Sequence, residues 1–197
     1  MRKDAAAIVI AAGGDGVRIG GTKPSRMLGG RRLIDHALAW AGRHADTVAL
    51  AVRLRDADWG TGLPLLVDRH DGIGPISALA SAFRFAHDQR RPTLLMIGCD
   101  MPLLPDDLLG RLQAALPGHG AAMPVSGGRR HPMATLWAPD VPAIEAYIAT
   151  GGQSLWRFAQ AVGMAEVTWD NAPDPFVNIN EPADLAAAEQ RLKRPAR

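Results

Sequence analysis

The sequence has little of the material that disulfide-bonded or membrane-spanning proteins need. Cys99 is the single cysteine among 197 residues, so no disulfide framework can form within the chain, and a reducing compartment is expected. No apolar run approaches the roughly 18–20 residues that cross a membrane. The apolar run after residues 1–4 is too short for the core of a signal peptide and ends in glycines. We therefore predict a cytoplasmic protein with no membrane partner.

Aromatic residues are scarce, at 5%, and charges of opposite sign nearly balance. Twenty-two Lys and Arg face 20 Asp and Glu, which leaves a net charge of +2. Basic pairs such as 31–32 and 90–91 have no aromatic residues clustered among them, so no nucleic-acid partner is expected. With 47% hydrophobic and 21% charged residues, the composition is that of a globular protein. The length predicts one domain that spans residues 1–197.

Glycine is concentrated where the first predicted strand ends. An apolar run at 5–10 predicts a buried strand, and a loop with two cations, Arg18 and Lys23, follows it. The five glycines of this loop are Gly13, Gly14, Gly16, Gly20 and Gly21. Glycine lets the backbone approach a ligand closely, and N–H groups that face one concavity favour an anion. The stretch therefore predicts a loop that binds a phosphate chain.

Two common phosphate-binding loops do not fit this stretch. A P-loop needs G-x-x-x-x-G-K-[ST], whereas Lys23 follows Thr22 and precedes Pro24. The dinucleotide fingerprint needs a third glycine where Ile19 stands, and a helix directly after it. The irregular stretch instead continues to Gly30, beyond the usual connection of roughly 4–6 residues. This length favours a functional loop and argues against a nicotinamide-dependent dehydrogenase.

The rest of the chain alternates short apolar strands with helices. Helices are predicted at 33–43, 76–87, 105–115, 141–149, 154–161 and 182–193. Further strands are predicted at 48–52, 63–67, 93–97, 121–125, 133–137, 165–169 and 176–179, the strand at 133–137 pairing antiparallel. This order predicts an α/β fold with three layers, α/β/α, around a mainly parallel mixed sheet.

Two carboxylates follow predicted strands, where ligands bind in an open parallel sheet. Asp100 comes after the strand at 93–97 and before Met101 and Pro102. It is a candidate ligand for Mg²⁺ bound to a triphosphate, because Mg²⁺ usually takes one or two carboxylates plus phosphate oxygens. Asp68 follows the strand at 63–67 and is a second candidate for ligand contact. The alternative for both is a structural carboxylate that caps the next turn or helix.

Five motifs, in order, resemble those of the molybdenum cofactor guanylyltransferases. They are the loop A-A-G-G-D-G-V-R-I-G-G-T-K from Ala11, G-P-I-S-A after Asp68, G-C-D-M-P-L-L-P around Asp100, H-P-M-A-T-L-W from His131 and F-V-N-I-N-E-P-A-D-L from Phe176. The resemblance spans almost the whole chain. It implies a Rossmann-like nucleotide-diphospho-sugar transferase fold and the transfer of GMP from GTP to molybdopterin, with Mg²⁺ as cofactor and release of pyrophosphate.

The resemblance also assigns expected roles to residues. Catalytic roles fall to Arg18, Lys23 and Asp100, with Asp100 as the metal ligand. Nucleotide binding falls to Ala11, Ala12, Gly13, Gly14, Gly16, Lys23, Asp68 and Asp100. Candidate contacts to the acceptor are His131, Asn178 and Asn180, although Asn180 is an equal candidate for capping the last helix. GTP and molybdopterin are the expected small-molecule partners, with transient contact to other enzymes of the cofactor's pathway.

Related functions stay open on the sequence alone. One is a cytidylyltransferase that acts on molybdopterin or on another small phosphorylated acceptor. Another is a regulator that binds a nucleotide without turnover. The chain departs from the family at Thr22 and Lys23, where the family has Asp-Lys, and near Ala51, where the family commonly has Asn. These departures concern the base and the acceptor more than phosphate binding.

Overall fold

The computed structural model describes residues 6–13, 23–53, 59–70 and 72–193. The helices are α1 Leu33–His44, α2 Pro75–Asp88, α3 Leu108–Ala115, α4 Val141–Ala149, α5 Leu155–Ala161 and α6 Pro182–Lys193. The strands are β1 Ala6–Ala11, β2 Met27–Leu28, β3 Arg31–Arg32, β4 Thr47–Val52, β5 Leu65–Val67, β6 Thr93–Gly98, β7 Ala121–Ser126, β8 Arg129–Arg130, β9 Leu136–Trp137 and β10 Met164–Trp169. Of the helices in this described part, none is long and apolar enough to cross a membrane.

Eight strands of the described chain form one sheet, in the order β10-β7-β9-β6-β1-β4-β5, with β8 paired to β7. The strands β5, β4, β1 and β6 run parallel to one another, and β10 runs parallel to β7. The short strands β8 and β9 are antiparallel to their neighbours. The remaining pair, β2 and β3, forms a small antiparallel hairpin. The predicted α/β fold with a mainly parallel mixed sheet is confirmed.

Helices cover both faces of the sheet, because its central strands are apolar on both sides. Ile8 and Ile10 of β1 join a core with α1 and α3 on one face. Ala7 and Val9 of the same strand join a second core with α2, α4 and α5 on the other. Each fully buried aliphatic side chain of this size stabilises the fold by about 1.5–3 kcal/mol. The carboxyl ends of these strands are therefore held in place by the packed cores on both faces of the sheet.

Segment 176–179 was predicted as a strand, and this prediction is wrong. The backbone N–H of Phe176 donates to Asp174 Oδ1 at 2.9 Å, and that of Ile179 donates to the Asp100 carbonyl at 2.9 Å. These N–H groups bond to a side chain and to a loop carbonyl, so they are not available for a ladder with a neighbouring strand. The segment is therefore an irregular crossing that passes beside Asp100.

Two predicted elements begin three residues later in the structure. In 133–137 only Leu136–Trp137 is a strand, because Pro132–Ala134 forms a 3-10 turn in which Ala134 N donates to the His131 carbonyl at 2.9 Å. Pro132 has no N–H for a ladder, which favours this turn. The helix predicted from 105 begins at Leu108, since a turn precedes it and Leu108 N donates to the Pro105 carbonyl at 3.2 Å.

Candidate functional site

The predicted ligand-binding segments leave the sheet at one edge, where the parallel strands end. Ala12 N donates to the Ala51 carbonyl at 2.9 Å, and Cys99 N donates to the Ala11 carbonyl at 3.1 Å. Asp68 N donates to the last residue of β4 at 3.0 Å. These bonds extend the parallel pairing just beyond the strands, so the segments after β1, β5 and β6 begin side by side.

Gly13 leaves β1 at a place with little room for a side chain. A Cβ at this position would lie 3.2 Å from Cγ of Arg53, closer than ordinary van der Waals contact. Glycine therefore allows the loop to pass close to the end of β4. The next loop residues that the sequence singles out, Gly14, Gly16 and Arg18, lie outside the described residues, and their roles stay predictions.

Lys23, Asp100 and Asn180 meet at this edge, although they are far apart in the sequence. Lys23 Nζ lies 2.6 Å from Asp100 Oδ2 and 2.7 Å from Asn180 Oδ1. The side chains of Lys23 and Asp100 are only 15% and 17% exposed, so the ion pair is well shielded from water. The Ile179–Asp100 backbone bond holds the Asn180 segment against the loop that follows β6. Three predicted site residues thus form one cluster around a single cation.

The side chain of Asn180 belongs to this cluster and does not cap the last helix. Asp184 performs the capping, since its Oδ2 accepts hydrogen bonds from the backbone N–H groups of Asn180 and Glu181, each at 2.9 Å. Ile179 is buried, whereas Asn178 and Asn180 on either side of it are exposed. The amide of Asn180 is therefore available to Lys23, and Asn178 is accessible from solvent nearby.

Gly98 is a residue of this site that sequence reasoning missed. A Cβ on Gly98 would lie 2.3 Å from Asp100 Oδ1, so any side chain there displaces the carboxylate or is displaced by it. Glycine at the end of β6 therefore allows the carboxylate of Asp100 to fold back over the strand end. The signal in the sequence was the glycine two residues before a carboxylate at the end of an apolar strand.

Cys99 lies between these two residues but is not a reactive thiol. Its side chain is 4% exposed. Burial, together with the neighbouring Asp100 charge, raises the pKa of the Cys99 thiol to about 12. Since the thiolate is the nucleophilic form, Cys99 serves as a small buried side chain.

The cluster fits a hard divalent cation held jointly with phosphate. Carboxylate and amide oxygens are ligands that Mg²⁺ accepts, and Mg²⁺ commonly takes one carboxylate and completes its shell with phosphate and water. The ammonium of Lys23 already occupies the space between the oxygens of Asp100 and Asn180, so this position favours a positive charge. Within the described ranges, no group of three or more His, Cys, Asp or Glu is placed to hold a metal.

Asp68 lies at the other end of the same edge. It follows β5, whereas Asp100 follows β6, and β1 and β4 separate the two strands. Three steps of about 4.8 Å across the sheet place the two strand ends roughly 14 Å apart. A nucleoside triphosphate has a comparable extended length, so one nucleotide can reach both carboxylates. Asp68 is half-buried.

His131 lies at the end of β7, in a second polar cluster. Its Nε2 is 2.7 Å from Ser126 Oγ, and Ser126 Oγ donates to Asp174 Oδ1 at 2.8 Å. The imidazole stacks on Phe176, with ring centroids 4.7 Å apart and planes inclined by 20°. Burial lowers the pKa of His131 more than the nearby Asp174 carboxylate raises it. The ring is therefore neutral at pH 7.

A groove of about 930 Å³ lies away from both clusters, beside α2 and α4. Its lining includes Arg69, Arg84 and Asp140 but none of the predicted site residues. Arg84 is engaged in this region by Glu145, at 2.6 Å. The predicted site residues that the structure describes thus lie at the open edge of the sheet and not in this groove.

The chain is similar to known proteins over most of its length. A sequence model of the family described as MobA-like NTP transferase domain matches residues 8–166. A molybdenum cofactor guanylyltransferase from Rhodobacter capsulatus is 37% identical over 191 residues, which cover 95% of this chain and 97% of the relative. One from Acidiphilium cryptum is 39% identical and covers 92% of each chain. The crystal structure of molybdopterin-guanine dinucleotide biosynthesis protein A from Archaeoglobus fulgidus superposes with a TM-score of 0.79 at 22% identity, covering 94% of this chain and 98% of that one.

Proposed function

The chain belongs to the MobA-like NTP transferase family, and from this premise we propose that it transfers the guanylyl group of GTP to the molybdenum cofactor. The observation that supports the proposal is the Lys23–Asp100–Asn180 cluster at the carboxyl ends of the parallel strands, where ligands bind in open α/β sheets. The acceptor is molybdopterin, and the products are its guanine dinucleotide and pyrophosphate.

Lys23 and Asp100 have different proposed roles in binding the triphosphate. Asp100 and Asn180 would hold Mg²⁺, which would supply positive charge to the phosphate groups of the nucleotide. Lys23 is the proposed donor to the phosphate oxygens, because its flexible ammonium group can exchange the contact with Asp100 for one with phosphate. The glycine-rich loop that begins at Gly13 is the proposed source of the remaining N–H donors to phosphate. The ion pair of the free protein thus positions both groups before the nucleotide binds.

Asp68 is the proposed contact to the base. The edge of guanine presents two neighbouring N–H donors, and one carboxylate can accept hydrogen bonds from both. Cytosine has a single exocyclic amino donor next to ring acceptors, so a carboxylate satisfies it less well. A position three strand spacings from Asp100 suits the base end of the nucleotide.

The acceptor phosphate is the nucleophile, and it needs no strong general base. The second pKa of a phosphate monoester lies near 6, so the group is largely dianionic at neutral pH. Catalysis then consists of alignment and neutralisation of charge. The ammonium of Lys23, together with a cation that Asp100 would hold, would supply this neutralisation. No role as a general base is needed for His131.

Isothermal titration of the purified protein with GTP and with CTP, each in Mg²⁺, tests the assignment of the nucleotide. We expect GTP to bind at least tenfold more tightly, and Asp68→Asn to reduce that preference, since the amide places an N–H donor opposite one of the two N–H donors of guanine. Asp88→Asn, on the exposed end of α2, is the matched control. Tighter binding of CTP would show a cytidylyltransferase instead.

A regulator without turnover is separated from an enzyme by pyrophosphate release. Wild-type protein with GTP, Mg²⁺ and molybdopterin is expected to release pyrophosphate, and Asp100→Ala is expected to release almost none. GTP binding without any pyrophosphate release from the wild type would overturn the proposed reaction and leave a nucleotide-binding protein.

A further inference from the structure

The His131 cluster is connected directly to the phosphate site. Ser126 ends β7, which runs in the same direction as β6, so the His131 cluster lies on the same edge as Asp100. Phe176, on which the His131 ring stacks, precedes Asn180 by four residues. The irregular segment 174–180 therefore joins Asp174 of one cluster to Asn180 of the other. A ligand beyond the phosphate site would lie within reach of His131.

The protons of this cluster can be assigned from the hydrogen bonds. An ionised carboxylate only accepts, so the Asp174–Ser126 bond uses the single hydroxyl proton of Ser126. Ser126 Oγ must then accept from His131, and Nε2 carries the proton of that bond. Since the ring is neutral, Nδ1 has no proton and presents a lone pair. The chain Asp174–Ser126–His131 thus selects one tautomer.

This arrangement differs from a nucleophilic triad. In a triad the histidine lies between the carboxylate and the serine and takes the proton of the serine. Here Ser126 lies in the middle and is 2% exposed, so its hydroxyl is neither free nor accessible for attack. The cluster therefore orients the imidazole and does not activate Ser126.

We propose that Asp174 and Ser126 hold His131 as the Nε2–H tautomer so that Nδ1 accepts a hydrogen bond from an N–H group of the acceptor. This inference rests on the proposed function, which makes that acceptor a pterin. A pterin ring carries amide and amino N–H donors, whereas its phosphate carries only acceptors at neutral pH. The Nδ1 lone pair on a neutral ring can therefore accept from the pterin N–H groups, but it can form no hydrogen bond with the phosphate. His131 is thus a binding residue, and Ser126 and Asp174 are positioning residues.

Nitrogen-15 NMR of the histidine rings in the full-length protein tests the tautomer without any substrate. His131 is expected to show a protonated Nε2 and an unprotonated Nδ1 at pH 7.5. Asp174→Ala frees the hydroxyl of Ser126 to donate to Nε2, and the proton is expected to move to Nδ1. Asp174→Asn keeps an oxygen that accepts from Ser126, and it is expected to preserve the wild-type tautomer. A protonated Nδ1 in the wild type would overturn the proposal.

Titration with molybdopterin tests the second half of the proposal. The Nδ1 resonance of His131 is expected to shift on binding. In His131→Gln the side-chain amide replaces Nε2 beside Ser126, but no acceptor remains at the position of Nδ1. This variant is expected to raise the KM for molybdopterin about tenfold. His131→Asn, which places an oxygen near the position of Nδ1, is expected to recover part of that loss. An unshifted Nδ1 resonance would overturn the inference even if turnover is normal.

Measurement of GTP binding by the same variants separates this inference from the proposed function. The Kd for GTP is expected to be the same in His131→Gln and in the wild type. If His131→Gln weakened GTP and molybdopterin equally, the role of His131 would be structural and the inference wrong, while the proposed guanylyl transfer would stand. If the wild type released no pyrophosphate, the proposed function would fail, and the NMR shift with molybdopterin would still decide the role of His131.

Discussion

The two polar clusters on the edge of the sheet differ in charge. The cluster after β6 is charged: Lys23 and Asp100 form a shielded ion pair, 2.6 Å between Nζ and Oδ2. The cluster after β7 is organised around a neutral ring, because burial lowers the pKa of His131 and a serine hydroxyl fixes its tautomer. A charged cluster suits a triphosphate, and a neutral acceptor atom suits the N–H groups of a heterocycle.

Under the proposed function, this difference lets one edge of the sheet receive two substrates. The irregular segment 174–180 takes part in both clusters, through Asp174 at one end and Asn180 at the other. The Ile179–Asp100 backbone bond fixes the position of the segment between them. Damage to the charged cluster should therefore reduce phosphate chemistry, and damage to the neutral cluster should change recognition of the acceptor.

The largest expected effect follows from Asp100→Asn, which keeps the size of the side chain and removes its charge. Loss of the cation-binding charge is expected to reduce kcat by about 10²–10³-fold, the range seen when one preorganised electrostatic group is removed. Steady-state release of pyrophosphate measures the effect. Asp106→Asn is the control, because Asp106 forms an exposed ion pair with Arg43 and should leave kcat unchanged.

Gly98→Ala is expected to reduce kcat about 100-fold without unfolding the protein. The added Cβ would lie 2.3 Å from Asp100 Oδ1 and must displace the carboxylate, and a misplacement of about 1 Å can cost that much in rate. Gly42→Ala within α1 is the matched control, since nothing lies within 4 Å of its Cβ. It should keep full activity and raise stability by about 0.5–1 kcal/mol. Equal activity of both variants would contradict the placement of Asp100.

Lys23→Met is expected to weaken GTP binding by about 10–100-fold, because a charge-assisted contact to phosphate is lost. Isothermal titration with GTP in Mg²⁺ measures the change. Arg43→Met removes the cation of the surface pair with Asp106 and should have no measurable effect on GTP binding. An unchanged Kd for GTP in Lys23→Met would show that Lys23 serves only as the partner of Asp100.

Much of the fold could be predicted from the sequence, because it depends on local signals. The helices Val141–Ala149 and Pro182–Lys193 begin and end where their sequence signals predicted. The helix predicted at 154–161 has Ser154 as its N-cap, whose side chain accepts from Arg157 N at 3.3 Å, and serine is a preferred residue at that position. Local signals of this kind need no knowledge of distant residues.

The contacts of the site could not be predicted, because they join residues distant in the sequence. The sequence identified Lys23, Asp100 and Asn180 separately, but a residue pattern gives no sign that a lysine at 23 pairs with a carboxylate at 100. Segment 176–179 read as a strand because its side chains alternate, whereas its backbone bonds to Asp174 and Asp100. The role of Gly98 follows only from the direction of the Asp100 side chain.

The smallest expected effect concerns pH and the neutral cluster. The pKa of His131 is lowered in the folded protein, so below about pH 6.5 the unfolded chain binds a proton that the folded chain does not. Stability is therefore expected to fall as the pH drops from 7.5 to 5.5. Urea denaturation at both pH values should show a smaller drop for His131→Gln. An equal drop in both proteins would contradict a buried, neutral His131.

Guanylyl transfer at the charged cluster must yield a guanine dinucleotide, which product analysis detects. Purified protein is incubated with GTP, Mg²⁺ and molybdenum-loaded molybdopterin, and the products are identified by mass spectrometry together with released pyrophosphate. We predict one guanine dinucleotide per pyrophosphate for the wild type, and almost none for Asp100→Asn. Absence of the dinucleotide with the wild type, or undiminished formation by Asp100→Asn, would contradict the account.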